Sequence, residues 1–264
     1  MGLQSNAIIF MPTTSNDLPV LQGVRDPIPC KICGGSSALD GVVDFNKNGS
    51  EPNGVVLPLL GVPVYYHRCQ ECGAVFTVAF DNWTQQDFVR HIYNGDYSTV
   101  DPDHIEARPL ANCRLVANFV IHAPGIRILD YGGGNGRLAQ ELVARGLDAS
   151  SFDCMMPDHH QPSASSFDLV TCFEVMEHTT TPVETFAAML SFLTRDGVIL
   201  FSTLTIDSLP PRSLHFWYIA PRNGHVTIYT RQSLAALAGR FGKRIHHFND
   251  GMHLCLTEPP AWLR

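Results

Sequence analysis

Long apolar runs are missing from this chain of 264 residues, and none is extended enough to span a bilayer as a helix. Charge is also sparse, at 16% of residues. Basic residues are the scarcer sign, with 18 Lys and Arg against 25 Asp and Glu and a net charge of −7. That balance argues against a generic phosphate-backbone binder, which needs clustered cations in excess. The opening Met1-Gly2-Leu3-Gln4-Ser5-Asn6 lacks the basic region and apolar stretch of an export signal, and Asn6 stands where myristoylation needs Ser or Thr. The expected setting is therefore the reducing cytoplasm, with no membrane partner. There, paired cysteines bind metal more often than they cross-link. What the chain has is 45% hydrophobic residues, 21 glycines, 18 prolines and eight cysteines. These suffice for a real core in one or two domains.

The pattern changes along the chain. Residues 1–82 read as an arm followed by a small β-rich unit, with four cysteines and short runs such as Val62 to His67 and Ala74 to Phe80. Residues 83–122 show helical spacing from Trp83 to Asn94 and from Asp103 to His122, with Pro109 breaking or starting a helix in the second stretch. From residue 123 to 264 strands and helices alternate, which predicts an α/β sheet. Strands are expected at Ile126 to Tyr131, Ala149 to Asp153, Phe167 to Phe173 and Gly197 to Thr203, and helices at Arg137 to Arg145 and Pro182 to Leu193. Thr230 caps a last helix that Gly242 ends, and Asn249-Asp250-Gly251 predicts an antiparallel hairpin.

Cys30-Lys31-Ile32-Cys33-Gly34 and Cys69-Gln70-Glu71-Cys72-Gly73 are two C-x-x-C-G turns. Each brings two sulfurs onto one ion, and the glycine lets main-chain N–H groups face the thiolates. Closed coordination by four thiolates predicts a structural zinc ion at Cys30, Cys33, Cys69 and Cys72. Two disulfides, or four unrelated thiols, are the competing reading. His67 is left out because all four cysteines are available. Cys113, Cys154, Cys172 and Cys255 are expected to be buried as small hydrophobes.

Asp130-Tyr131-Gly132-Gly133-Gly134-Asn135-Gly136 joins an apolar strand to an amphipathic helix, a turn that lets a ligand approach the backbone closely. Gly134-Asn135-Gly136-Arg137-Leu138-Ala139 also fits a loose dinucleotide fingerprint, so the glycines alone leave a nicotinamide or flavin site open. The longer D-x-G-x-G-x-G pattern resembles the first motif of class I S-adenosylmethionine-dependent methyltransferases. Supporting segments follow in order: Asp153 at the end of the second strand, Phe167 to Val170 with Phe173 to His178, and Asp196 to Thr203. The resemblance covers about residues 105 to 257. It implies a Rossmann-like, mostly parallel sheet ending in the antiparallel hairpin. It also implies that Asp130, Gly132, Gly133 and Gly134 hold the methionine end of the cofactor, its carboxylate meeting main-chain N–H groups, with Asp153 on the ribose and Phe173 and Glu174 beside it. Too little chain separates Asp153 from Phe167 for the family's usual third strand, which is expected to be lost or reduced to a loop. Met155, Met156, Asp158 or His159 would then border the adenine.

Glu174-Val175-Met176-Glu177-His178 and the later His225 resemble the metal-binding arrangement of ubiquinone-pathway O-methyltransferases and small-RNA 2′-O-methyltransferases. That resemblance implies Mg²⁺ or another divalent ion at Glu174, Glu177, His178 and His225, with His178, His225 and Glu177 as catalytic groups. The competing reading has no metal, and His178 or His225 as a general base. Trp217 and Tyr218 could shape an acceptor pocket. The expected activity is methyl transfer from S-adenosylmethionine to a small or medium acceptor, with oxygen first. Three alternatives stay open: C-methylation of a nucleotide-linked sugar, since some such enzymes also carry a four-cysteine unit; a non-catalytic cofactor-binding or interaction module; and a nicotinamide oxidoreductase, which the Gly134 to Ala139 spacing permits and the later methyltransferase-like segments disfavour.

Overall fold

The computed structural model describes residues 18–19, 27–156 and 161–263. Among these, two sheets share the molecule. The larger contains β5 (Arg127–Tyr131), β6 (Asp148–Phe152), β7 (Phe167–Phe173), β8 (Leu193–Ser202), β10 (Arg244–His247) and β11 (Met252–Leu256), in the order β10-β11-β8-β7-β5-β6. The pairs β5/β6, β5/β7 and β7/β8 are parallel, whereas β8/β11 and β11/β10 are antiparallel. Parallel strands covered on both faces need nearly continuous apolar sequence. Ile128 and Leu129 in β5 and Leu169, Val170 and Cys172 in β7 supply it, all fully buried.

Helices follow from local signals. In α4 (Arg137–Ala144), Leu138, Ala139 and Leu142 share the buried face. The first residue of α5 (Pro182–Phe192) is a proline, whose missing N–H costs nothing there. Thr230 caps α6 (Arg231–Gly239) as expected, in a reciprocal box with Ser233. Pro109 lies in the first turn of α3 (Ala107–Phe119) and so starts that helix without breaking it. No strand lies between Asp153 and Phe167 among the described residues, in line with the lost third strand. Asp158 and His159 lie outside the described residues.

The smaller sheet has the order β1-β2-β3-β4-β9 and is antiparallel throughout: β1 (Ile28–Pro29), β2 (Ser36–Asp44), β3 (Pro63–Cys69), β4 (Val75–Thr77) and β9 (Thr227–Ile228). Its last strand comes from within the larger sheet's stretch of sequence, between β8 and β10. Val75 pairs with Ile228 and Phe76 with Thr227, so the sheets are not divided at residue 82. One hydrophobic cluster also runs through both, joining Cys30, Ile32, Cys69 and Cys72 to Leu129, Phe201, Leu234 and Leu237. Each fully buried Leu, Ile or Phe in it contributes about 1.5–3 kcal/mol. Between the sheets in sequence, α1 (Gln85–His91), α2 (Tyr97–Val100) and α3 form a roof over the carboxyl ends of the large sheet.

Candidate active site

Strand order reverses between β5 and β7, which places a crevice beyond Tyr131 and Phe173. The glycine turn lies there. Gly132 has φ +73°, and a methyl group on it would overlap Val175. A methyl on Gly133 would overlap Asp130 Oδ2 and Ser151 Oγ. The turn thus closes directly over the Asp130 side chain. Its N–H groups are mostly spent within the protein. Those of Gly132 and Gly133 donate to the Phe152 carbonyl at 2.7 and 3.4 Å, that of Gly136 to the Gly133 carbonyl at 2.9 Å, and that of Gly134 to Asp153 Oδ2 at 2.9 Å. Asp153 Oδ1 accepts from Met155 N at 2.7 Å, so this carboxylate braces the turn. Asp130 is buried and accepts from Thr171 Oγ1 at 3.0 Å. Burial pushes its carboxyl up to about 7; the Thr171 hydrogen bond opposes the rise and the charge of Asp153 adds to it.

At the end of β7, Glu174 adopts φ +55°, a left-handed conformation that costs a non-glycine residue about 1 kcal/mol or more. Ser202 holds it there: Glu174 N donates to Ser202 Oγ at 2.9 Å, and that hydroxyl donates to Glu174 Oε1 at 2.7 Å. The chain then makes a single 3-10 turn, Met176–His178. Ligand atoms of Glu177, His178 and His225 all lie within 4.8 Å of one another. Glu177 is fully buried, and neither of its carboxylate oxygens has a hydrogen-bond partner among the described residues. His178 Nε2 is 3.9 Å from Glu177 Oε1. His225 Nδ1 faces the Tyr218 carbonyl at 2.7 Å. A carbonyl only accepts, so Nδ1 carries the proton and Nε2 keeps a free lone pair. Burial, reinforced by Glu174, pushes the Glu177 carboxyl well above its usual range, while burial holds His178 well below and His225 below theirs. The ligand atoms of the trio converge on one point. Glu174, the fourth residue expected with it, is not part of it.

The smaller sheet pins this cluster from behind. Val226 N donates to the Glu177 carbonyl at 2.8 Å, Thr227 Oγ1 to Thr179 O at 2.9 Å, and Tyr229 Oη to Met176 O at 3.0 Å. In front lies a cleft of about 790 Å³. Asp130, the glycine turn, Asp153, Phe173, Glu174 and His178 line its sheet side. Trp83, Phe88, Tyr93, Tyr97 and Arg108 line its roof. Gln85 Nε2 donates to the Cys154 carbonyl, tying α1 to the loop after β6.

The sequence pattern of the methyltransferase domain family matches residues 104–247, more than half of the chain and all of the cleft's sheet side. The chain belongs to this methyltransferase domain family. Among its relatives, the ubiquinone biosynthesis O-methyltransferase of Aromatoleum aromaticum is 27% identical over 148 residues, covering 41% of this chain and 63% of that protein. The enzyme of the same name from Neisseria meningitidis serogroup C is 25% identical over 174 residues, covering 50% and 72%. This chain therefore spans just under two thirds of the first relative's length. Solved structures with a similar fold include the Burkholderia thailandensis 1,6-didemethyltoxoflavin-N1-methyltransferase (TM-score 0.47, 14% identity, 65% of this chain and 84% of that one). Magnesium protoporphyrin IX methyltransferase from Synechocystis is another (TM-score 0.45, 17% identity, 68% and 97%).

Within this methyltransferase-family chain the four cysteines lie outside the matched span. Cys30 Sγ is 3.7 Å from Cys72 Sγ, and Cys33 Sγ is 3.5 Å from Cys69 Sγ. All four sulfurs fall within 4.8 Å of one another. A tetrahedral zinc site with Zn–S of about 2.3 Å has edges of about 3.8 Å, whereas a disulfide needs sulfurs about 2 Å apart. The main-chain N–H groups of Ile32, Gly35 and Cys72 point at Cys30, Cys33 and Cys69 Sγ, each at 3.4 Å. Both turns dock on α6. Thr230 Oγ1 donates to Cys72 O, Gln232 Nε2 to Glu71 O at 2.8 Å, and Arg240 Nη1 to Ile32 O at 3.0 Å.

Some expectations need correction. Cys113, Cys172 and Cys255 are buried, but Cys154 is exposed, because β6 ends at Phe152 and leaves it in the loop. Trp217 and Tyr218 do not line the cleft. Tyr218 is buried, its ring 4.4 Å from that of His225, and Trp217 is exposed. Sequence reasoning missed Arg108, which forks onto Asp101 (Nη1–Oδ2 2.9 Å, Nη2–Oδ1 2.6 Å), and also Tyr66, behind His225.

Proposed function

We propose that the protein transfers a methyl group from S-adenosylmethionine to an oxygen of a small or medium acceptor. The observation that carries this reading is that Asp130, the glycine turn, Asp153 and His178 open into one cleft at the point where the strand order reverses. In that cleft Asp130 takes the donor's ammonium group, the glycine turn gives it close passage, and Asp153 faces the ribose hydroxyls. Phe173 and Glu174 border the donor. The aromatic roof of Trp83, Phe88, Tyr93 and Tyr97 suits a flat, largely apolar acceptor. That the relatives are named O-methyltransferases supports oxygen as the accepting atom.

In the transfer the acceptor oxygen bonds to the methyl carbon as the carbon–sulfur bond breaks. The hydroxyl proton passes to the neutral imidazole of His178, leaving S-adenosylhomocysteine and a methyl ether. Alignment of donor and acceptor supplies most of the acceleration, since the sulfonium already activates the methyl group. Glu177, His178 and His225 fit a divalent ion: a buried carboxylate without a partner and an imidazole whose tautomer leaves Nε2 free. Two nitrogens and one oxygen suit a first-row transition ion better than Mg²⁺, which prefers oxygen ligands. When bound, such an ion would occupy the His178 lone pair and lower the pKa of a neighbouring hydroxyl, so that it would replace the imidazole as the means of removing the proton.

Cys30, Cys33, Cys69 and Cys72 are read as a structural zinc site, because four thiolates leave no open position for a reactant. In this division of labour residues 123–264 carry the chemistry, 83–122 roof the cleft, and the cysteine-bearing sheet backs the cluster through Tyr66. Calorimetric titration with S-adenosylhomocysteine, followed by transfer of labelled methyl to a panel of phenols and catechols, tests the reading. Absence of binding at millimolar ligand would sink it.

A further inference from the structure

The turn that delivers His225 is fastened to the roof before it reaches the trio. Its 3-10 segment, Pro221–Asn223, is buried, and Arg222 is only 6% exposed. A guanidinium is expensive to bury unless oxygen atoms receive its N–H groups. Here Nη1 donates to the Ile92 carbonyl at 3.0 Å and Nη2 to Asn94 Oδ1 at 3.3 Å. Ile92 caps the C-terminal end of α1, where carbonyls lack helical partners and favour a cation. Asn223 Nδ2 donates to the carbonyl of Val100, the last residue of α2, at 3.1 Å. Two consecutive side chains thus hold the ends of two roof helices.

Gly224 comes next, and there roof and trio meet over a bare Cα. It has φ +84°, and a methyl on it would lie 3.2 Å from both His178 Nδ1 and Tyr93 Oη and 3.3 Å from Ile92 Cγ2. Any side chain at this position therefore presses on the trio and on the roof at once. His225 follows directly. We infer that Arg222 is a positioning residue: through this turn it sets the distance between the acceptor roof and the imidazoles of His178 and His225. The inference rests on the reading of the cleft as an acceptor site. Tyr93, Asn94 and Tyr97 line the cleft together with His178. A roof that drifts at the end of α1 carries the acceptor oxygen away from the trio, and alignment is the larger part of the catalysis.

Three variants of the full chain test the link. Arg222→Met keeps the apolar stem and removes the donors, Arg222→Lys keeps the charge without the fork, and Gly224→Ala leaves Arg222 intact. Hydrogen exchange reads the roof. The Nδ1 proton of His225, buried against the Tyr218 carbonyl, gives a ring N–H resonance that reads the trio. Loss of charge-assisted bonds predicts that Arg222→Met raises exchange in residues 85–100 by roughly ten- to hundredfold. It should also shift the His225 resonance. On any phenol or catechol that the native protein methylates, kcat should fall roughly tenfold or more, while affinity for S-adenosylhomocysteine stays within about threefold. Arg222→Lys should restore part of each effect, and Gly224→Ala should shift the same resonance. A lower melting temperature in Arg222→Met with native His225 resonance and native kcat overturns the assignment, because Arg222 would then only cap α1. If Arg222→Met does not fold, the other two variants decide by the same signals, and native values in both overturn it. Native protein that methylates none of the panel sinks the acceptor reading, whereas exchange and resonance still judge the link.

Discussion

The hydroxyl of Tyr66, in the middle of β3, donates to the main-chain carbonyl of His225 at 2.6 Å. A residue of the cysteine-bearing sheet thus fixes the backbone of a residue whose imidazole belongs to the buried trio. Tyr66 is fully buried, so this hydrogen bond has no water to replace it.

Replacing Tyr66 with Phe keeps the ring and leaves the His225 carbonyl unsatisfied, which should lower stability by about 1–3 kcal/mol in denaturant unfolding. Methyl transfer and divalent-ion affinity should fall in the same variant. If unfolding shifts while both stay at the native level, the sheet supports the fold but not the trio.

Asp130 predicts a particular pH dependence. Its folded value, about 7, lies above its ordinary 3.8. The folded state therefore binds the proton more tightly, and its contribution to stability is fully present below about pH 4 and lost as pH rises through 7. Asp130→Asn should flatten the stability profile over that window and unfold later than the native protein at pH 8, by up to about 4 kcal/mol. It should also lose affinity for S-adenosylhomocysteine. In the native protein, pairing with an ammonium ionises Asp130, so binding near pH 6.5 should release a proton, seen as a buffer-dependent binding enthalpy. No release would mean that the ammonium lies elsewhere.

Neighbouring glycines should respond unequally to alanine. At Gly133 the added methyl meets Asp130 and Ser151, whereas at Gly134, with φ +55°, nothing lies within 4 Å. Gly134→Ala should cost about 1 kcal/mol, the backbone penalty alone. Gly133→Ala should cost about 2 kcal/mol or more and abolish cofactor binding. Thermal melts and ligand titration on the two variants read this contrast, and equal effects would count against the observed turn.

Removing the ion expected at the cysteines should loosen α6 as well as the turns, since Thr230, Gln232 and Arg240 bond to main-chain carbonyls of the two turns. Elemental analysis should find about one zinc per chain at this site. Chelation or Cys69→Ser should lower the melting temperature and raise hydrogen exchange in residues 231–239. Metal-free protein with unchanged melting and exchange would refute a structural ion.

Much of this was legible in the sequence where the signal was local. The strand–glycine–helix passage from Ile128 to Ala144, the Thr230 cap and the two C-x-x-C-G turns declare themselves within a few residues. Glu177 and His178 were legible as neighbours. Their meeting with His225 was expected from the resemblance, whereas the contacts that bring it about, Val226 and Thr227 bonding to Glu177 and Thr179, are encoded by no periodicity. The two-residue β9 is invisible for the same reason: its pairing partner is distant and it has too few residues to show alternation. Glu174 is not in the trio and binds Ser202 through both its main-chain N–H and its carboxylate, a partner distant in sequence, and Arg108 and Tyr66 are single residues outside any motif.

The pairing of Val75 with Ile228 also sets an order of events during synthesis. When the second cysteine turn leaves the ribosome, β4 still presents bare N–H and carbonyl groups along one edge, and the strand that covers them has not been made. The cysteine-bearing sheet must wait, with an open and adhesive edge, for most of the chain to emerge. Cutting the protein after the roof helices would therefore yield an exposed edge prone to self-association, not a separable four-cysteine unit.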